Sequence, residues 1–118
     1  ILLATPTGST ASSLAAGGPV LAPDLEVVLV TPLSPHKLGL RPLVLGGDAE
    51  LTVQANGKAS VVGDGHVLAV VEAKARFGVR RAAAKARLVR LDNAPDWFTL
   101  LEDKLHWQRH SPQKALDG

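Results

Sequence analysis

Short apolar runs, separated by glycine, proline and polar residues, occupy the first two thirds of the chain. Several of them alternate apolar and polar positions or are rich in β-branched residues, which is the pattern of β-strands. These runs are residues 1–4, 25–30, 43–45, 51–55, 59–62 and 67–71. With turn residues between them and no internal repeat, they predict a mainly β, β-sandwich-like domain with marginal helices.

Two dipeptides predict turns between these runs. Asn56-Gly57 separates the fourth run from the fifth, and this pair is strongly favoured in two-residue hairpins. We therefore expect the fourth and fifth runs to pair with each other. Asp64-Gly65 precedes the last run and predicts a second tight turn. In that turn Asp64 is either an ordinary turn residue or a candidate for a binding site.

Residues 79–91 carry two conflicting signals. Ala82–Ala86 has high helix propensity, which leaves the first half of this stretch open. Arg87–Leu91 alternates between basic and apolar residues and predicts a strand. Near the end of the chain, Trp97, Leu101 and Leu105 have the spacing of one helical face. They predict a closing helix over residues 93–107, with Asn93 as its N-cap, followed by a polar tail.

A glycine-preceded helical turn is expected close to the start. Ser9 and Thr10 are good N-cap residues, Ala11–Ala16 favours helix, and Gly17-Gly18 ends it. The first turn of a helix presents unpartnered N–H groups and the positive end of its dipole, which suits a phosphate or a ribose. An ordinary strand-to-helix junction explains the same residues, so both interpretations stay open on local chemistry.

Composition limits the class of protein. A chain of 118 residues with 46% apolar residues is long enough for one folded domain with an aliphatic core. The absence of cysteine excludes disulfides and thiolate metal sites and fits a reducing compartment. No apolar run is long enough to span a bilayer. Because the chain begins at Ile1, inside a predicted strand, and has no Met, we expect it to be a piece of a longer protein.

Basic residues are concentrated in one part of the chain. Seven of the 13 Lys and Arg residues lie between Lys74 and Arg90, and no acidic residue occurs between Glu72 and Asp92. This run is either a solvated face or a surface that attracts nucleotide phosphates or polyphosphate. No aromatic residues alternate with the charges, so we expect no nucleic-acid partner.

The amino-acid sequence of the first loop resembles that of a known family. Thr5–Ala11, followed by Ala16–Pro19, closely resembles the NAD kinase family. Supporting matches follow in the same order along the chain, at Thr31-Pro32, Pro35-His36, Arg41–Leu45, Asp64-Gly65 and Lys104–Trp107.

The resemblance implies a domain organisation. Residues 1–92 correspond to the family's C-terminal, NAD-binding β-sandwich domain, here in part. Residues 93–107 correspond to a closing helix that packs on an N-terminal domain, and residues 108–118 form a polar tail. The family's Gly-Gly-Asp-Gly and Asn-Glu motifs are absent from the sequence, and the resemblance places them before Ile1.

The resemblance also implies an activity. NAD kinases transfer the terminal phosphoryl group of ATP or polyphosphate to the 2′-hydroxyl of NAD, giving NADP, with Mg²⁺ or another divalent cation. We expect a cytoplasmic homo-oligomer, dimeric or tetrameric, with no membrane partner. We also expect this chain alone to be inactive, because the acidic motif lies outside it.

The expected site residues all bind substrate. By resemblance, Thr10, Ala11 and Ser12 contact the nucleotide and Ala15 lines the same face one turn on; Ser34 and Asp64 are further candidates. No catalytic residue and no metal ligand is expected within the chain. The family usually has Tyr where this chain has Ser12, and often Ser where it has Ala15. Compared with the family, the chain therefore lacks an aromatic ring at position 12 that could cover a base, and it lacks a hydroxyl group at position 15.

Two other functions stay open. A lipid kinase has a similar architecture and shares a diglycine motif, although the sequence shows no apolar groove for a lipid. A non-catalytic β-sandwich that binds anions through the basic run at residues 74–90 is the other alternative.

Overall fold

The computed structural model describes residues 1–37 and 39–106. It divides into two compact units, Ile1–Ala83 and the residues from Ala84 on. In the described residues, the first unit holds seven strands, a 3₁₀ helix and a short α-helix, and the second holds one α-helix. The elements are β1 (Leu2–Ala4), the 3₁₀ helix (Thr7–Thr10), α1 (Ser12–Ala15), β2 (Val27–Thr31), β3 (Leu43–Gly46), β4 (Leu51–Gln54), β5 (Ala59–Gly63), β6 (His66–Val71), β7 (Arg76–Val79) and α2 (Trp97–Leu105).

These elements confirm a mainly β domain with a short helix near its start and a closing helix. The boundaries expected from the family, 1–92, 93–107 and 108–118, stay a prediction, as does the packing of the closing helix on another domain. Trp107 and the predicted polar tail lie outside the described residues.

The best-packed part of the first unit is a three-stranded antiparallel sheet in the order β1-β2-β3. Leu3 is paired with Val30 across β1 and β2, and Val28 with Leu45 across β2 and β3. Because β2 is central, its Leu29 is fully buried. The strand β3 follows Pro42 and lies at an edge of this sheet, as expected for a strand that begins next to a residue without an N–H group.

The strand β4 pairs with β7, not with β5. The predicted hairpin through Asn56-Gly57 is therefore wrong. A two-residue type I′ turn needs positive φ at both of its central residues, and neither Asn56 nor Gly57 is among the positive-φ residues. Instead Val53 lies opposite Phe77, and both side chains are half-buried.

The strands β5 and β6 form a hairpin whose turn is Asp64-Gly65. Asp64 has a φ of 47° and Gly65 a φ of 84°, as a type I′ turn requires. The predicted tight turn is thus confirmed. The pairing register of the two strands shifts between Val61 and Val62.

Residues 87–91 do not form a strand, so that prediction is wrong. Arg87–Leu91 is exposed throughout, and Val89 is 91% exposed. A strand is stabilised by a neighbouring ladder and by burial of one face. The alternation of residue types is present here, but the apolar side of the alternation is not buried in the described part of the chain.

The closing helix α2 begins later than predicted. Asp96, with extended backbone, is its N-cap: its Oδ1 accepts a hydrogen bond from the Thr99 amide at 3.0 Å, and its Oδ2 accepts one from the Thr99 hydroxyl at 2.9 Å. These bonds, the backbone one first, lower the pKa of Asp96 below its usual 3.8. The prediction of Asn93 as the cap is therefore wrong.

The predicted apolar face of α2 is confirmed. Leu101 is buried, and Trp97 and Leu105 are half-buried. Phe98 is 70% exposed, although its ring makes an edge-on contact with that of Trp97 at a centroid distance of 4.9 Å.

Candidate functional site

The first loop connects β1 to β2 through two short helical segments. Pro6 has helical backbone angles and starts the 3₁₀ helix, which is consistent with its fixed φ. Ala11, with φ −103° and ψ −126°, separates this helix from α1. The short helix predicted over residues 11–16 is therefore present as α1, and an additional 3₁₀ helix, Thr7–Thr10, precedes it.

Ser9 does not act as an N-cap. Its side chain is fully buried, its hydroxyl donates to the Pro6 carbonyl oxygen at 2.6 Å, and it accepts from the Leu21 amide at 3.0 Å. The hydroxyl thus ties residues that lie before and after the helical segments. The prediction of a capping role for Ser9 is wrong because a buried hydroxyl must find partners within the fold.

A buried pair of hydroxyl groups joins α1 to the central strand. The Oγ atom of Ser13 lies 2.8 Å from the Oγ1 atom of Thr31, and both residues are fully buried. Neither residue was singled out for this role from the sequence. A threonine at the end of an apolar strand and a serine in a small-residue segment are usual enough to give no distinct signal.

The end of α1 has the geometry predicted from its two glycines. Gly17 has a φ of 83°. Its amide donates to the Leu14 carbonyl at 2.9 Å, and the Gly18 amide donates to the Ser13 carbonyl at 2.8 Å. This pair of bonds is the Schellman motif, which satisfies the last carbonyls of a helix.

The amides at the start of the loop are engaged within the protein. The Gly8 amide donates to Thr5 Oγ1 at 3.3 Å, and the Ser9 and Ala11 amides donate to the Pro6 and Gly8 carbonyls, each at 3.1 Å. The expectation that these amides point at a phosphate or ribose is therefore wrong. The segments are also too short for an appreciable dipole.

Three of the four residues expected to bind substrate in this loop are exposed. Ala11, Ser12 and Ala15 are exposed, and Thr10 is half-buried. These are the four residues that the sequence singled out in this loop. The segment Thr10–Ser12 lies between two buried serines, one at each of its ends.

Ser34 lies in the loop after β2 and is exposed, with a φ of 44°. Because Ser13 is bonded to Thr31, α1 and the Ser34 loop adjoin the same end of β2. Ser34 contributes to a cavity of about 640 Å³. The lining combines apolar residues with a basic rim and consists of Ile1, Val30, Pro32, Leu33, Ser34, Pro35, His36, Lys37, Leu40, Arg41 and Leu43.

Asp64 lies apart from these two loops in the topology. It is exposed in the turn between β5 and β6, which form a sheet of their own. In residues 1–37 and 39–106 the structure shows no hydrogen bond from Asp64 to the first loop or to the Ser34 loop. The structure therefore groups α1 with the Ser34 loop and places Asp64 in the turn of a separate sheet.

Two arginines of the basic run are engaged by side chains of the first unit. The Arg81 guanidinium pairs with both carboxylate oxygens of Glu26, at 3.1 and 3.2 Å, and Arg76 donates to the Gln54 side chain at 3.1 Å. A second cavity, of about 580 Å³, mixes both charges. It is lined by Asp48, Glu50, Arg80, Arg81, Ala82 and Ala83.

The same described residues lack two features. They contain no group of three or more His, Cys, Asp and Glu side chains arranged to hold a metal ion. None of their helices has the length and apolar character needed to cross a membrane.

Comparison with known proteins assigns the chain to a family. Residues 1–91 match the family model described as the ATP-NAD kinase C-terminal domain. The chain belongs to this family. The resemblance seen in the motifs of the first loop is thereby confirmed, and the matched residues include the first loop, the Ser34 loop and the β5–β6 hairpin.

Relatives of this NAD kinase C-terminal domain are longer proteins. The NAD kinase of Gemmatimonas aurantiaca is 44% identical over 110 residues, which are 91% of this chain and 38% of that protein. The NAD kinase of Desulforamulus reducens is 38% identical over 111 residues, 92% of this chain and 38% of that protein. The chain thus spans about two fifths of the length of the curated relatives it matches.

A solved structure supports the fold. The crystal structure of yeast NADH kinase complexed with NADH superposes with a TM-score of 0.60 and 37% sequence identity. The match covers 66% of this chain and 23% of the yeast chain. The mainly β architecture is therefore that of an NAD kinase C-terminal domain.

Proposed function

We propose that this chain supplies the NAD-binding part of an NAD kinase, which transfers the terminal phosphoryl group of ATP or polyphosphate to the 2′-hydroxyl of NAD and forms NADP. The observation that carries the proposal is the family match over residues 1–91. It includes the loop whose segment Thr10–Ser12 lies between two buried serines. The yeast relative is complexed with NADH, a ligand with the same adenosine and pyrophosphate groups.

The proposed contacts are made by the exposed Ala11, Ser12, Ala15 and Ser34 and by the half-buried Thr10. Thr10 and Ser12 offer hydroxyls to the ribose, and the small side chain of Ala11 lets the ligand approach the backbone. Ala15 lines the same face one turn on. The Ser34 loop adjoins the same end of β2 as α1, which supports a contact from Ser34. A contact from Asp64 is supported only by the Asp64-Gly65 match to the family.

The phosphoryl donor and its cation belong to the rest of the protein in this proposal. Mg²⁺, or another divalent cation, neutralises phosphate charge in such transfers. The described residues do not offer a fitting ligand set, so we derive no step through the metal for this chain. We also propose that the complete enzyme is a cytoplasmic homo-oligomer, a dimer or a tetramer, and that the chain alone does not turn over.

Binding is the direct test. The chain is titrated with NAD by calorimetry, and the Thr10→Val variant is compared with a Thr52→Val control, because Thr52 is exposed on β4. We expect NAD to bind the native chain and the control alike, and Thr10→Val to bind about tenfold more weakly, as loss of one ligand hydrogen bond of ~1.4 kcal/mol predicts. Unchanged affinity removes Thr10 from the site, and no binding by the native chain refutes the proposal.

Phosphoryl transfer is tested in a chimaera. The 110 aligned residues of the Gemmatimonas aurantiaca NAD kinase are replaced by this chain, and NADP formation is measured with ATP or polyphosphate and Mg²⁺. Formation of NADP supports the assignment. A chimaera that melts cooperatively and binds NAD but forms no NADP with either donor contradicts it.

A further inference from the structure

Two fully buried serines flank the segment Thr10–Ser12, in which Ala11 and Ser12 are exposed and Thr10 is half-buried. Ser9 is immediately before it, and Ser13 is immediately after it. The serines have the same residue type as Ser12, yet their hydroxyls point into the fold, not towards solvent. Their hydrogen bonds reach two separate parts of the chain.

The Ser9 hydroxyl joins residues on either side of the two helical segments. It donates to Pro6 at 2.6 Å and accepts from Leu21 at 3.0 Å. Because one hydrogen atom and one lone pair are both used, this hydroxyl fixes residues 6 and 21 to residue 9. The two ends of the loop are thereby held together on its N-terminal side.

The Ser13 hydroxyl acts at the sheet. Its bond to Thr31 at 2.8 Å attaches α1 to the end of the central strand. Gly18 closes over this pair: a Cβ atom there would overlap Ser13 Oγ and would lie 3.0 Å from Thr31 Oγ1. The hydroxyl pair is thus confined by backbone, and it leaves α1 little freedom to shift along β2.

We infer that Ser9 and Ser13 are positioning residues for NAD: their two buried hydroxyls fix both ends of Thr10–Ser12 and so set the direction in which this segment meets the dinucleotide. The inference rests on the proposed function. A preorganised segment binds more tightly because less conformational entropy is lost on binding. Neither serine contacts the ligand.

The experiment removes each hydroxyl in the 118-residue chain and compares matched variants. Ser9→Ala and Ser13→Ala delete the hydroxyls, and Thr31→Val deletes the partner of Ser13 while keeping its shape. Thr31→Ser retains the hydroxyl and serves as the rescue. Ser60→Ala removes an exposed hydroxyl on β5 and is the control.

Two measurements are made at a temperature at which every variant is folded. We expect the NAD dissociation constant to rise about tenfold in Ser9→Ala, Ser13→Ala and Thr31→Val, and to stay within twofold in Thr31→Ser and Ser60→Ala. Hydrogen exchange of the bonded amides of Ala11–Ala16 rises about tenfold in the same three variants, while exchange in β5–β6 is unchanged.

The outcomes separate the claims. Faster exchange in the loop with unchanged NAD affinity means that the serines only stabilise the fold, and it overturns the inference. Unchanged exchange in the loop overturns it as well. A wild-type chain that does not bind NAD refutes the proposed function, while the exchange data still decide whether the two hydroxyls hold the loop.

Discussion

Gly18 is the position at which one added methyl group is expected to do most damage to the first loop. It is buried between α1 and the end of β2. The Cβ of a Gly18→Ala variant would overlap the Ser13 hydroxyl oxygen and would lie 2.8 Å from the Ser13 carbonyl oxygen and 3.0 Å from Thr31 Oγ1. The first two contacts are closer than real Cβ atoms tolerate, so α1 or the hydroxyl pair must move.

The magnitude has two parts. Overpacking at a tight site costs about 1–3 kcal/mol, and loss of the buried hydroxyl bond costs about 1 kcal/mol. We therefore expect Gly18→Ala to lower the free energy of unfolding by about 2–4 kcal/mol. At about 4 °C per kcal/mol for a domain of this size, the midpoint of thermal unfolding falls by roughly 8–16 °C.

Two other glycines provide the comparison. Gly17 has open space around its Cβ position but a φ of 83°, so Gly17→Ala costs about 1–2 kcal/mol from backbone strain alone. Gly57 has open space and no positive φ, so Gly57→Ala is neutral or stabilises by up to about 1 kcal/mol. Urea unfolding gives the order. A Gly18→Ala variant as stable as Gly57→Ala would refute the close packing described for the hydroxyl pair.

Three further changes test other parts of the fold. Leu29→Ala, at a fully buried position, should lower the free energy of unfolding by about 2–5 kcal/mol in urea; a smaller loss contradicts the central place of β2. Glu26→Gln should cost less than about 1 kcal/mol, and the loss should shrink in 1 M salt, because the pair with Arg81 is largely exposed. Asp96→Ala should reduce helical circular dichroism at pH 7. The native helix should lose the same signal as pH falls through the lowered pKa of Asp96, because a depressed carboxyl pKa stabilises the fold only above it; an unchanged signal contradicts its capping role.

Local chemistry predicted those features whose cause is local. Gly17-Gly18 end a helix because a residue with positive φ is needed at that point, and Asp64-Gly65 turn a hairpin for the same reason. The apolar face of α2 follows from spacing alone. Each of these features depends on a few neighbouring residues, and the sequence contains them all.

Strand pairing was mispredicted because its cause is distant in the chain. Asn56-Gly57 has the preferred composition of a hairpin turn, yet β4 pairs with β7, whose residues are more than twenty positions away. Gly78 and the charged Arg76 weaken the strand pattern of β7. Arg87–Leu91 shows the opposite case, in which a strand pattern has no ladder in the described residues.

The candidate site also combines features that local sequence predicts with features that depend on distant contacts, and its serine hydroxyl groups show this. Ser9, Ser12 and Ser13 are the same residue type within five positions, but two are fully buried and one is exposed. Which serines are buried is decided by tertiary contacts: Ser13 is bonded to Thr31, and Ser9 is bonded to Leu21. Sequence reasoning therefore identified the segment Thr10–Ser12 by its motif but gave Ser9 the wrong role.

The engaged amides change how recognition at this loop must work. A phosphate held by free helix amides is selected by charge, whereas here the Gly8, Ser9 and Ala11 amides already have acceptors. In the proposed complex the segment Thr10–Ser12 therefore contributes hydroxyls and shape, which suit a ribose better than a phosphate. Such contacts depend on the direction of each group more than charge does, because hydrogen bonds weaken steeply with angle. A segment of this kind needs rigid ends, and the two buried serines supply them.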